Sequence, residues 1–334
     1  MRVIVDAYGG DNAPDAVLQG CRMAADRWKC EIVLTGNGEK LRARAAELGV
    51  SLEDMTIADA PDVFPMEAEP TAIMKQHKDS SMARGLQMLA NGEGEAFVSA
   101  GSTGALVVGG TLIVKRIKGV KRPAIGTVVP CRGGCFMLLD SGANHDCRPE
   151  MLRQFGLMGS VYMKRILGVP NPRVGLVNIG VEETKGTELQ VEAYGLMKEA
   201  GYNFIGNVEA REVPLGGCDV AVCDGFTGNV ILKTTEGLAK LFMSEIKSIF
   251  MRSLPNKLAA AVVKKDLGEF KRKFDSAEYG GALLLGTRKP VIKAHGSSDD
   301  KAFCNAVRQA ISCCENRIIG EMENQLAAET IETE

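Results

Sequence analysis

Short apolar runs that stop at glycine with Asp, Asn, Ser or Lys alternate along the chain with longer stretches of helical period. The runs predict strands over 3–7, 32–35, 96–99, 125–129, 136–140, 174–179, 204–207, 220–224 and 291–294. The longer stretches predict helices over 15–28, 39–48, 81–90, 150–167, 188–200, 230–250 and 299–323. Such alternation calls for an α/β fold with a mostly parallel sheet covered on both faces by helices. One unit over 1–334 accounts for the pattern, and only 327–334 reads as a weak tail. In sheets of this kind ligands sit beyond the carboxyl ends of the strands.

One stretch needs care. No charge occurs between Glu95 and Lys115, which approaches the length of a membrane span. Four glycines (Gly101, Gly104, Gly109 and Gly110) and the hydroxyls of Ser99, Ser102 and Thr103 fit a buried strand, a turn and a helix over 105–114 better. A glycine turn feeding a helix presents free N–H groups and the positive end of the helix dipole, so Gly101, Ser102, Thr103 and Gly104 are candidates for an anion cradle. Helix capping explains Ser102 and Thr103 equally well.

The other strand ends share this grammar: Asp6-Ala-Tyr-Gly9-Gly10-Asp11, Asp140-Ser-Gly-Ala-Asn144-His145, Asn178-Ile-Gly180 through Lys185-Gly186, Asp224-Gly-Phe-Thr-Gly228-Asn229, and Lys293-Ala-His295-Gly296. Any one of them is ordinary punctuation. As a set they predict a polar, glycine-lined cleft.

Composition narrows the class. With 45% hydrophobic and 25% charged residues the chain suits a globular enzyme, and a net charge of −2 gives no bulk attraction to nucleic acid. The amino terminus has too short an apolar run for a signal peptide. Ten scattered cysteines, none paired at two-residue spacing, point to a reducing cytoplasm. Three histidines and no HExxH pattern argue against a histidine metal site, and no metal or cofactor is expected.

Taken in order, Asp6…Gly9-Gly10-Asp11…Pro14, Ser99-Ala-Gly-Ser-Thr-Gly-Ala105, Leu138-Leu-Asp-Ser-Gly-Ala-Asn144, Asn178-Ile-Gly…Lys185-Gly186, Asp224-Gly-Phe-Thr-Gly-Asn229 and Glu278-Tyr-Gly-Gly…His295-Gly296 resemble the bacterial phosphate acyltransferases over nearly the whole chain. Two positions depart from the expected pattern: Tyr8 replaces a methionine and Ser102 an asparagine. The resemblance implies an α/β/α sandwich akin to isopropylmalate dehydrogenases and phosphotransacetylases, and a homodimer. It also implies conversion of acyl-acyl-carrier-protein and inorganic phosphate to acyl phosphate for phospholipid synthesis.

That chemistry makes modest demands. Phosphate is largely dianionic near neutral pH and a thiolate is a fair leaving group, so the protein must mainly bring two anionic reactants together and stabilise an oxyanion. Backbone N–H groups at Gly9, Gly10 and Gly101–Gly104 suit phosphate. Lys185 suits charge neutralisation, and Asn229 and Asn144 are carboxamide donors for the oxyanion. His295 is a candidate proton shuttle or phosphate donor, with Lys293 beside it. Asp6, Asp140 and Asp224 are supporting carboxylates, which could equally cap their loops.

From about 251 to 275 the pattern reads as a helical hairpin, with Pro255 starting one helix and Asp266 and Glu269 the next. Val263, Leu267, Phe270 and Phe274 form its apolar stripe, beside Lys264, Lys265, Lys271, Arg272 and Lys273. It suits packing against a dimer mate first and peripheral docking on a membrane surface or a carrier protein second. A second basic cluster, Lys115-Arg116-Ile-Lys118 with Lys121-Arg122, suits an acidic carrier protein or is an ordinary exposed helix end. The rivals are a nicotinamide dehydrogenase, which lacks its dinucleotide fingerprint here, a coenzyme-A-dependent phosphate acyltransferase, and a non-catalytic phosphate or nucleotide sensor.

Overall fold

The computed structural model describes residues 1–273 and 280–332. Eleven strands form one sheet: β1 (Arg2–Asp6), β2 (Glu31–Gly36), β3 (Met55–Asp59), β4 (Ala96–Ser99), β5 (Ala124–Cys131), β6 (Gly134–Leu139), β7 (Val174–Asn178), β8 (Phe204–Glu209), β9 (Val220–Val222), β10 (Ala282–Leu285) and β11 (Val291–Lys293). Their spatial order is β3-β2-β1-β4-β11-β10-β5-β6-β9-β7-β8. The expected mostly parallel sheet is present, with antiparallel pairing confined to β11–β10–β5–β6 at its centre.

The central antiparallel strands alter the geometry of the strand ends. Strands β1, β2, β3, β4, β11 and β5 run one way, and β10, β6, β9, β7 and β8 the other. The glycine loops therefore do not line a single edge. Those after β1, β4 and β11 leave one edge, and those after β6, β7 and β9 leave the opposite one.

The helices are α1 (Asp15–Trp28), α2 (Gly38–Leu48), α3 (Ser81–Asn91), α4 (Thr103–Gly109), α5 (Pro149–Arg165), α6 (Glu188–Lys198), α7 (Gly225–Met251), α8 (Leu254–Val262), α9 (Lys264–Lys273), α10 (Asp300–Glu315) and α11 (Ile318–Glu332). The uncharged stretch after Glu95 is β4, α4 and a π-helical turn over Gly110–Val114. Among the described residues no helix is long and apolar enough to cross a membrane. The single helix expected over 299–323 is two, α10 and α11, divided at Arg317, whose φ is 49°. The second runs to Glu332, so the expected weak tail is helical for most of its length.

Strand alternation sends residues to two faces, and the faces differ. On the lower face Val3, Val5, Ile32, Val98, Leu283, Val128, Met137, Val220 and Val174 belong to one continuous core under α1, α5, α6 and α10. On the upper face the core is split. Ile4, Phe97, Ile125 and Leu284 pack under α3 and α4, whereas Val129, Leu138, Ala221 and Val177 pack with Ile231 and Leu232 of α7. Thr127 lies on β5 between Ile125 of the first cluster and Val129 of the second. This break in the upper core is where the expected cleft would lie.

Candidate functional site

Lys293 sits on the cleft side. Val291 belongs to the upper cluster and Ile292 to the lower, so the third residue of β11 points upward. Its Nζ donates to the carbonyl of Ala100 at 3.2 Å and also to that of Ala294. Burial pulls the amine down to about 8, helped by the charge of Lys233, while Asp11 and Asp6 oppose the shift. Lys293 pairs with Ala282 of β10, and β10 pairs with β5, so Lys293 lies two strands from β5.

Around it the loops at this edge are knitted together. Asp6 is buried and accepts hydrogen bonds from the hydroxyls of Ser81 (2.6 Å) and Ser99 (2.7 Å). Burial pushes its carboxyl up, against these bonds and the pull of Lys293. Gly9 presses onto this pair: a β-carbon there would lie 2.7 Å from both Asp6 Oδ2 and the Gly101 nitrogen. Gly10, with φ of 101°, would meet Ala100 and the Gly296 carbonyl. Asp11 N–H donates to that same carbonyl at 2.8 Å, and the Asn12 carboxamide donates to Ser297 and Ser298 carbonyls. Gly9 and Gly10 are thus required for close packing of three loops. Tyr8, the first departure from the family pattern, lies against Gly36 with its hydroxyl buried and unpartnered.

The turn before α4 changes the expected cradle. Gly101 N–H is already donated to Ser99 Oγ at 3.0 Å, so it is not free for phosphate. Ser102 is buried, and its hydroxyl caps α4 by accepting Ala105 N–H at 3.5 Å. Gly104 is helical and packs on Pro70. What remains for an anion is the opening N–H groups at Thr103 and Gly104.

At the opposite edge three expected site residues serve the scaffold. Asp140 is fully buried and accepts N–H bonds from Ile125, Gly142, Ala143 and Asn144. Asn144 commits its amide nitrogen to Pro123 O and to Asp140 Oδ2, both at 2.8 Å, so its carboxamide is no oxyanion donor in this arrangement. Asp224 is the N-cap of α7, accepting Thr227 N–H at 2.9 Å and its hydroxyl at 2.7 Å.

Helix α7 joins the two edges. It begins at Gly225, five residues before the expected start, because Gly225 and Gly228 are first-turn residues and not a loop. A β-carbon at Gly225 would lie 2.6 Å from the Asn144 carbonyl, and one at Gly228 would overlap that of Asp140. Next on this helix, half-buried Asn229 lays its carboxamide against Gly142, and among the described residues that amide has no intrachain partner. Lys233, one turn on, acts electrostatically on both Lys293 and His295. It pairs with Glu236 at 3.0 Å.

His295 is exposed, and its Nδ1 accepts Ser297 N–H at 3.2 Å, which places the proton of the neutral ring on Nε2. Partial burial, with Lys233, Lys293 and Lys240, lowers its proton affinity, although Glu236 opposes them. Lys185 lies in the exposed loop after β7, whose main chain is held by Asn178 Nδ2 donating to Lys185 O at 2.9 Å. Its loop shares an edge with the Asp140 and Asp224 loops, but none of the contacts above brings its side chain to Lys293. Thr127, Ser141 and Lys233 were not among the expected site residues. Thr127 and Ser141 join hydroxyls at 2.7 Å on the cleft floor. Helical spacing from Asn229 identifies Lys233 once the helix is started at 225.

The chain matches the model of a family described as fatty acid synthesis protein over residues 1–320. It is 45% identical to the phosphate acyltransferase of Clostridium acetobutylicum, covering 98% of this chain and 99% of that one. It is 46% identical to the phosphate acyltransferase of Alkaliphilus oremlandii over 96% and 95% of the respective chains. In fold it resembles a phosphotransacetylase from Streptococcus pyogenes, with a TM-score of 0.62 at 17% identity and 94% of each chain covered. Full-length matches at this level of identity place the chain in the fatty acid synthesis protein family, alongside the phosphate acyltransferases.

Proposed function

We propose that the protein transfers a fatty acyl group from acyl carrier protein to inorganic phosphate, giving acyl phosphate for the acylation of glycerol 3-phosphate. The observation that carries this reading is the buried amine of Lys293, within electrostatic reach of Lys233 and near His295, in a chain similar to phosphate acyltransferases from end to end. Two lysines and a neutral imidazole offer positive charge and hydrogen-bond donors to a phosphate dianion without taking its proton.

A phosphate oxygen attacks the thioester carbonyl carbon. The new C–O bond forms as the carbonyl becomes an oxyanion, and collapse breaks the C–S bond to release the carrier thiolate. Lys293 and Lys233 neutralise the nucleophile, and His295 Nε2–H orients it. The unpartnered carboxamide of Asn229 donates to the oxyanion, and Lys185, in the exposed loop after β7, offsets charge from the carrier side. Opening N–H groups of α4 supply further donors.

Purified protein with phosphate and either acyl-carrier protein, acyl-coenzyme A or no donor tests this directly, with acyl phosphate trapped as a hydroxamate. The carrier-borne donor should give most product. Preference for acyl-coenzyme A would select the coenzyme-dependent reading, and no turnover with either would leave a phosphate sensor. Lys185→Ala should lower turnover about a hundredfold, the scale of one lost oxyanion or phosphate donor, with the fold intact because the residue is exposed. Near-wild-type turnover would remove Lys185 from the mechanism.

A further inference from the structure

The π-helical turn after α4 ends in a left-handed residue, Lys115 (φ 74°), from which the chain crosses the sheet edge. Val114 belongs to the upper core, and Ile117 and Val120 to the lower. This crossing leaves Lys115, Arg116, Lys118, Lys121, Arg122 and the neighbouring Arg288 exposed together. Among the described residues none of the six is ion-paired, in a chain whose net charge is −2.

The patch is also preformed and concave. Arg116 donates to the carbonyls of Val120 and Lys121, while Arg288 donates its N–H to Lys115 O at 2.9 Å and its Nε–H to Arg116 O at 3.1 Å. Lys115, Arg116 and Lys118 line an open pocket of about 400 Å³ together with Thr111 and the exposed Leu112, and Lys121, Arg122 and Arg288 lie beside it. A rigid cationic hollow with one apolar side chain fits the end of an acidic amphipathic helix.

Its position ties it to the cleft. Arg122 precedes Pro123, whose carbonyl accepts from Asn144, and β5 carries the chain from there to Thr127 on the cleft floor. Five residues of strand amount to roughly 16 Å. We infer that this surface docks the acidic carrier protein, holding it at the cleft mouth while its thioester arm reaches inward. The inference rests on the donor proposed above. A flat anionic membrane is a poorer fit to a hollow than a helix end is, and the exposed apolar residues a membrane would take up lie on α8, at Leu254, Leu258 and Val262.

Lys118→Glu with Arg122→Glu tests it. Both side chains are exposed, so circular dichroism and the thermal midpoint should stay at wild-type values. The KM for a long-chain acyl-carrier protein should rise at least about tenfold, and the Kd of the unacylated carrier by fluorescence anisotropy should rise in parallel. A carrier with acidic residues replaced by lysine should recover much of the loss. An unchanged carrier KM overturns the inference, as does an equal loss with a small acyl-pantetheine thioester. Loss of binding to phosphatidylglycerol vesicles with carrier kinetics intact assigns the patch to lipid instead. If the wild-type enzyme makes no acyl phosphate from acyl-carrier protein, the donor reading fails first and this partner with it.

Discussion

Gly228 and Asp140 touch so closely that a side chain between them has no room. The first turn of α7 lies directly on the carbonyl of Asp140, and the nearest neighbours of a β-carbon at 228 are backbone atoms that cannot rotate away. This contact fixes Asn229 over Gly142 and sets the direction in which α7 crosses to Lys293.

Gly228→Ala should therefore displace the helix. Overpacking costs about 1–3 kcal/mol, and the backbone neighbour puts this case at the upper end. Thermal denaturation should show the loss, and turnover should fall with it as Asn229 and Lys233 shift together. A thermal midpoint equal to wild type would mean that the helix has slack, and the rigid bridge between the edges would be lost as an explanation.

Lys293 gives the pH dependence a sign. Its amine is protonated below about 8 and neutral above. If its charge holds phosphate, the KM for phosphate should rise above pH 8, approaching about tenfold per unit. Lys293→Met should abolish that limb. In stability the same shift acts with the opposite sign. Between about 8 and the ordinary lysine value of 10.5 the unfolded chain binds the proton and the folded one does not, so this group's contribution grows with pH through that window and is lost as pH falls through 8. Lys293→Met should accordingly raise the thermal midpoint more at pH 7 than at pH 10. An equal change at both values would show that the amine is not the buried, strained group described.

Much of this was legible in the sequence, and the misses have physical causes. All nine expected strands are present, most of them because buried strands read as plain apolar runs. β3 was missed because Met55-Thr-Ile-Ala-Asp59 is an edge strand with half-exposed residues, and β10 because the short run Ala282–Leu285 has no period of its own. The start of α7 was hidden by glycines that ordinarily mark a turn. Here they are in a helix because the Asp140 loop presses on them, a tertiary fact with no local signature. Lys233 was lost for the same reason. Asn144 shows the converse: its motif is legible, but only the coordinates reveal that its carboxamide is already occupied.

The arm beyond the cleft predicts an assembly. Helix α7 exposes Leu238, Leu241 and Phe242, and α8 exposes Leu254, Leu258 and Val262 at helical spacing on one stripe. Pro255 starts α8 as expected, with Ser253 as its cap, while α9 begins at Lys264, before Asp266. Phe274 and the end of the expected hairpin lie outside the described residues, as do Glu278 and Tyr279 of the family motif. Leu258→Ser with Val262→Ser should remove about 3 kcal/mol of apolar burial from a dimer contact, about a hundredfold in dissociation constant. Sedimentation should show the shift to monomer. Vesicle flotation of the same variant separates a membrane role, and no change in either measurement would leave the stripe without a partner.

The turn before α4 offers the cleanest test of how phosphate is held. Thr103 is the first residue of that helix, the position proline favours, and Ser102 has φ −51° and ψ 121°, a conformation a following proline accepts. Thr103→Pro should therefore fold normally while deleting one free backbone donor, so its effect isolates that N–H. If the opening of α4 faces phosphate, the phosphate KM should rise about tenfold or more with the thermal midpoint unchanged. Ser102→Ala should cost less in KM if the backbone N–H groups hold phosphate, and the lost cap on Ala105 N–H should lower stability by about 1 kcal/mol. The reverse order, a crippled Ser102→Ala and a silent Thr103→Pro, would mean that phosphate is gripped by the hydroxyl and that the backbone of this turn plays no part.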